Sequence, residues 1–193
     1  MADTAKVLEF WLNEVGPRGW YVADPAVDDE IRSRFLTLWQ EAEAGDHGHW
    51  TSGPRGALAY LILTDQFPRN MFRDEARAFA TDGRARAAAD AAIAAGHDTA
   101  IAEPERQFFY LPFMHSEDIA DQDRCIALIA AGLPASGAGN RRHAEAHREV
   151  IARFGRFPYR NAALGRATTA AEAGFLAAGG YGAILRELDQ SHA

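Results

Sequence analysis

Three stretches of this chain concentrate side chains that can hold an anion or move a proton. The first reads DQFPRNMF from Asp65, the second RQFFYLPFMHSEDIADQ from Arg106, and the third RFGRFPYRN from Arg153. The third places three arginines and three aromatics in nine residues, and it repeats the Phe-Pro and Arg-Asn pairs of the first. Arginine presents a planar fork that fits carboxylate or phosphate, and asparagine presents both a donor and an acceptor. Pro68 and Pro158 each follow a phenylalanine, and each is expected to halt a helix and turn the chain. Arg69 and Asn70, and likewise Arg156, Arg160 and Asn161, are then presented on irregular backbone as candidate ligand-binding residues. The plainer use of such arginines is to cap the last carbonyls of neighbouring helices.

The acids and histidines among these motifs are the candidates for proton transfer. Asp65 falls in the last turn of an otherwise apolar helix, where the helix dipole disfavours a carboxylate. It is either an acid exposed at a fraying end or a carboxylate held by arginines such as Arg69 or Arg160; the apolar helix around it favours pairing. Ser116 can cap the helix that follows Pro112, with Glu117 and Asp118 favouring its positive end. Capping leaves His115 unexplained: it is either a satisfied, partly buried histidine or one that the neighbouring carboxylates suit to acid-base work or anion binding. His115 and Asp65 are therefore the candidate catalytic groups, and Glu117 joins the candidate ligand-binding set. His147 belongs to that set too, although a core-edge histidine bonded to a carboxylate is its plainer reading: it shares a helix face with His143 and leads the inward stripe of Ile151 and Phe154. A histidine pair at this spacing is a familiar half of a zinc site, but no HExxH pattern or cysteine cluster completes it, so no metal is expected.

Composition narrows the setting. The chain has 193 residues, 48% of them hydrophobic, enough for a sizeable core and consistent with one domain. Its formal net charge of -7 argues against a nucleic-acid surface, although RFGRFPYR interleaves arginines with aromatics that could stack bases. Between Arg141 and Arg166 seven arginines face only Glu145 and Glu149, so a basic island sits in an acidic protein. Carboxylate partners or an anionic ligand would account for it. One cysteine, Cys125, allows no internal disulfide and suits a reducing cytoplasm. Charges at Asp3, Lys6 and Glu9 interrupt any leader-like apolar run, and ALAYLIL from Ala57 is too short to span a bilayer, so a soluble cytoplasmic protein is expected. No GxSxG, phosphate loop or dinucleotide fingerprint is present, so no cofactor is expected.

The elements that must position these residues are helical. KVLEFWLNEV carries Val7, Leu8, Trp11, Leu12 and Val15 on one face and stops at Gly16-Pro17. Asp24 caps a helix with Pro25 in its first turn and Ile31, Phe35, Leu38 and Trp39 inward. A helix from Pro54 is apolar on nearly every side, the mark of a central element that Pro68 ends. DGRARAAADAAIAAG closes at Gly96, a helix from Pro104 ends at Pro112, and SEDIADQDRCIALIAAGL forms the next. PASGAGN, residues 134–140, is a candidate hinge, after which a helix runs to Gly155 and two short ones finish the chain. No alternating strand pattern appears, so the fold class is all-α, with about eight to ten helices in a single domain over residues 1–193.

DQFPRNMFRDEARAFATD, ERQFFYLPFMHSEDIADQDR and HREVIARFGRFPYRNAALGR, in this order, resemble the bacterial domain of unknown function 924 family, and DPAVDDEIRSRF fits it as well. The resemblance runs from about Val7 to Tyr181 and implies a tetratricopeptide-like helical bundle or superhelix. It implies no activity. Tyr159 stands where the family pattern leads one to expect a histidine. Together these readings point to an arginine-rich polar pocket near Pro68, His115 and Pro158 that binds a small anionic or polar molecule. Hydrolysis or group transfer would be the first reactions to test. The alternative is a tetratricopeptide-like adaptor for a peptide or protein partner, and a third reading makes these motifs purely structural, with arginine-carboxylate pairs locking helix ends.

Overall fold

Helix punctuation in the sequence is obeyed in part: Gly45 and Gly155 end helices as expected, but Gly16-Pro17 does not, since Glu9–Val15 continues as a π-helix directly into the helical turn Gly16–Gly19. The structure, a computed structural model, describes residues 2–191, and among them every regular element is helical. The single domain expected over residues 1–193 includes Met1, His192 and Ala193, which lie outside the described residues. None of the described helices is long and apolar enough to cross a membrane. The chain forms two compact units, one up to Pro112 and one from Phe113 onward.

In the first unit Asp24 accepts a hydrogen bond from the Ala26 N–H and caps the helix Pro25–Ala44. The helix Pro54–Leu61 is the centre of this unit, and from Ala57 through Phe67 every residue is buried. Its neighbours are the helices Ala2–Leu8 and Asp82–Ala94. Phe67 lies 4.8 Å from Phe35, 5.6 Å from Trp11 and 6.0 Å from Phe10, ring centre to ring centre. Aromatic packing of this kind contributes beyond its area burial and fixes the angle between helices.

Pro68 does not stop this central helix, contrary to expectation. The chain widens into a π-helical turn, Ile62–Gln66, and runs on as Phe67–Met71 with Phe67 at φ -59° and ψ -41°. The Phe67 N–H bonds the Ile62 carbonyl five residues back. A proline inside an α-helix removes one N–H and collides with the carbonyl four residues earlier; the wider turn relieves that collision. The carbonyl that loses its donor is that of Thr64. The Thr81 hydroxyl supplies the replacement at 2.5 Å, and the Trp39 indole N–H donates to the same hydroxyl oxygen at 3.2 Å. Pro112 likewise opens rather than ends a helix, sitting inside Leu111–Met114 after the 3-10 segment Glu105–Phe109.

The second unit is built on the helices Ile119–Gly132 and Ala138–Phe154, which pack against each other. Asp118, not Ser116, caps the first by accepting from the Ala120 N–H at 2.8 Å, and the Ser116 hydroxyl donates to Asp121 instead. The candidate hinge is mostly structured: residues 138–140 are already helical, and a Cβ on Gly137 would lie 2.6 Å from the Leu133 carbonyl oxygen. The second helix ends at Gly155, whose φ of +66° is a left-handed C-cap that a side chain would strain. Ala146, Val150, Ile151, Phe157 and Ile184 form the core of this unit, so the helix Gly180–Ser191 completes it.

Candidate functional site

The segment after Gly155 brings the arginine motif back onto its own unit. Phe157 is fully buried, and Pro158–Arg160 makes one 3-10 turn behind it. Glu117 and Arg166 grip the two ends of the Phe157 residue: its N–H donates to Glu117 at 2.8 Å, and its carbonyl accepts from Arg166 at 3.1 Å. Arg166 also forks onto both Glu117 oxygens, at 2.7 and 3.0 Å. Burial alone would raise the Glu117 carboxyl, but the Arg166 fork and the Phe157 N–H hold it below the usual carboxylate range.

Asn161 extends the network. Its side-chain oxygen accepts from Arg166 at 3.0 Å, and its amide reaches Glu172 at 3.3 Å. Glu172 is buried and takes two bonds from Arg156, at 2.6 and 2.9 Å, plus the Thr169 N–H at 2.7 Å. The Arg156 bond, then the Thr169 N–H, pull its carboxyl down to about 2. Arg156 also donates to the Ala167 carbonyl at 2.8 Å, not to the carbonyls of the helix it leaves. Glu117, Arg156 and Asn161 thus have partners within the protein that suit a scaffold role.

His115, His147 and Arg160 form a second cluster beside this lock. The Arg160 guanidinium lies 4.3 Å above the Phe157 ring centre and donates to the His115 carbonyl at 3.1 Å. The two imidazole centres are 6.5 Å apart, and His147 meets the edge of Phe157 at 5.3 Å. Nδ1 of His147 lies 2.8 Å from the His143 carbonyl, which can only accept, so Nδ1 carries the proton. Nε2 then presents its lone pair, and it makes no hydrogen bond among the described residues. Burial, with smaller contributions from the charges of His115 and Arg160, pushes the His147 pKa down to about 3. Tyr181 stands against His147 at 4.8 Å and stacks on His143 at 6.0 Å. Burial raises its phenol, so the hydroxyl stays protonated, and it shares a hydrogen bond with Nδ1 of His143 at 2.5 Å.

Asp65, Arg69 and Asn70 belong to the first unit. Asp65 is 1% exposed in the π turn and accepts from Arg69 at 3.2 Å and from Gln66 at 2.5 Å. Arg69 also bonds Asp82 at 2.8 Å; burial opposes its charge, but Asp82 and Asp65 hold its pKa above the ordinary value. Asn70 donates to Asp28 at 2.8 Å, beside the Arg73–Asp28 ion pair. Asp65 is therefore the paired carboxylate rather than the frayed one. An open cleft of about 430 Å³ in this unit includes Glu9, Asn13, Arg55 and Glu105 in its walls, and one of about 470 Å³ in the second unit includes Glu145, Arg148, Arg153 and Glu187. No candidate residue lines either one. Among the described residues no three His, Cys, Asp or Glu side chains gather in a way that could hold a metal ion.

A family profile described as "Bacterial protein of unknown function (DUF924)" matches residues 7–180. The chain belongs to this family. A search of curated proteins finds no match. Among solved structures, the protein of unknown function ATU0120 from Agrobacterium tumefaciens is similar, with 43% sequence identity and a TM-score of 0.85. The similarity covers 91% of this chain and 97% of that one. In this DUF924 chain two important residues escape motif reading. Glu172 could have been found, because TAAE from Thr169 spells a capping box, and the structure contains that box. Tyr181 carries no local signal: it reaches the imidazoles only through the packing of the last helix.

Proposed function

We propose that this protein binds a small anionic or polar molecule on the second unit, over the face formed by His115, His147 and Arg160. The observation that carries the reading is His147: a neutral imidazole with Nδ1 committed to a backbone carbonyl and Nε2 unused by the protein, next to a cationic guanidinium. Histidines that only fill a core have their polar atoms satisfied, and an open acceptor beside a cation suits a ligand with polar edges. Arg160 contributes positive charge already ordered by its stack on Phe157, which lowers the entropic cost of using it. The Glu117–Arg166 and Arg156–Glu172 pairs hold this face in place. The lone, buried Cys125 fits a cytoplasmic protein.

Thermal-shift screening against a metabolite library tests the reading. A ligand at a hundred times its dissociation constant stabilises by about 2.7 kcal/mol, a visible shift. The expected hits lose their shift in His147→Phe and Arg160→Met. Hits that persist in both variants, or a complete library without hits, would refute the proposal.

A further inference from the structure

The hydrogen-bond chemistry of His147 restricts what its ligand can be. The bond from Nδ1 to the His143 carbonyl fixes the tautomer, so Nε2 can accept and cannot donate. Tyr181 and Phe157 meet this imidazole in edge-on arrangements, with ring centres 4.8 and 5.3 Å away, which hold its plane. A carboxylate or fully ionised phosphate oxygen placed at Nε2 would set lone pair against lone pair. A hydroxyl or N–H placed there would complete a hydrogen bond. The low pKa of His147 works in the same direction, since protonating the ring to suit an anion runs against its burial. The Arg160 guanidinium, stacked on the same Phe157 ring, supplies positive charge for an acidic group elsewhere on the molecule.

Resting on the binding reading above, we infer that the ligand is a small hydroxy acid, which offers a hydroxyl proton to Nε2 of His147 while its carboxylate faces the arginine side. The same geometry makes His147 a hydrogen-bond acceptor that selects the ligand, not a strong base that deprotonates it.

The test uses full-length protein with 15N-labelled histidine and three probes: glycolate, acetate and ethylene glycol. They supply both groups, the carboxylate alone and the hydroxyl alone. Glycolate is expected to perturb the His147 Nε2 signal and to bind roughly five- to tenfold more tightly than acetate, the worth of one added hydrogen bond. His147→Phe is expected to erase that preference while leaving the two acids equal and weak. Acetate binding as tightly as glycolate in the wild-type protein would overturn the hydroxy-acid assignment and leave the binding face standing. If none of the probes moves the His115, His147 or Tyr181 signals, the face itself is wrong, and the assignment falls with it.

Discussion

Thr81→Val removes one oxygen and should be among the more damaging conservative changes in this protein. Thr81 is fully buried and nearly isosteric with valine, so packing is preserved and only hydrogen bonding changes. Its hydroxyl gives its proton to the Thr64 carbonyl, and its oxygen accepts from the Trp39 indole. The substitution strands both groups out of reach of water. An unsatisfied buried group costs about 1–3 kcal/mol, so the pair predicts a loss of roughly 2–6 kcal/mol. The assay is equilibrium urea denaturation followed by tryptophan fluorescence, with the midpoint read at constant slope. A second variant isolates the cause. Pro68→Ala restores an N–H in the position from which an α-helix would satisfy the Thr64 carbonyl. In the Thr81→Val background it should recover about 1–3 kcal/mol, more than Pro68→Ala gains in the wild type. Strict additivity of the two changes, or a Thr81→Val loss below about 0.5 kcal/mol, would refute the account of the π turn.

The other predictions concern the second unit. Glu172 has an ordinary pKa of 4.5 that the fold lowers to about 2. Its contribution is complete above pH 4.5 and is lost as pH falls towards 2, so acid unfolding should shift to higher pH in Arg156→Met and flatten in Glu172→Gln. His147 has an ordinary pKa of 6.5 lowered to about 3; the unfolded chain therefore binds its proton first, and stability should decline as pH falls below 6.5. In a 15N NMR titration its ring should remain neutral at pH 5, and titration near 6.5 would contradict the burial argument. Glu117→Gln keeps an acceptor for the Phe157 N–H but loses the charge pair with Arg166, which is partly open to water, so a loss of about 1–2 kcal/mol is expected in a chemical melt. Glu117→Ala loses both bonds and should cost more.

Some helix ends were legible because capping is local, although Asp118 rather than Ser116 caps Ile119–Gly132. Asp24 and Gly155 announce their roles through their own side chain or lack of one, and the structure uses both as read. Pro68 was misread because local rules ask only whether an α-helix tolerates proline. The answer depended on Thr81, thirteen residues later, offering a hydroxyl to the orphaned carbonyl. The same limit applies to the candidate site. Arg156 and Asn161 were visible as polar residues on irregular backbone, but Glu172, which engages both of them, lies in a different helix. Asp65 was more transparent, since a carboxylate surrounded by apolar helix positions needs a cation, and Arg69 is one helical turn away. The neutral state of His147 was hidden because burial and a tautomer arise from the folded surroundings, not from spacing.

The last helix has a practical bearing on how this protein is handled. Ile184 closes the core of the second unit, and Tyr181 is the surface against which both His143 and His147 rest. A cut or fusion that unseats Gly180–Ser191 would bare Val150 and Phe157 and release the imidazoles together. A sample clipped there would no longer hold the His143 and His147 rings in this packing. Affinity handles and fluorophores are therefore better attached at the amino end, with the mass of the carboxyl end verified before any negative binding result is accepted.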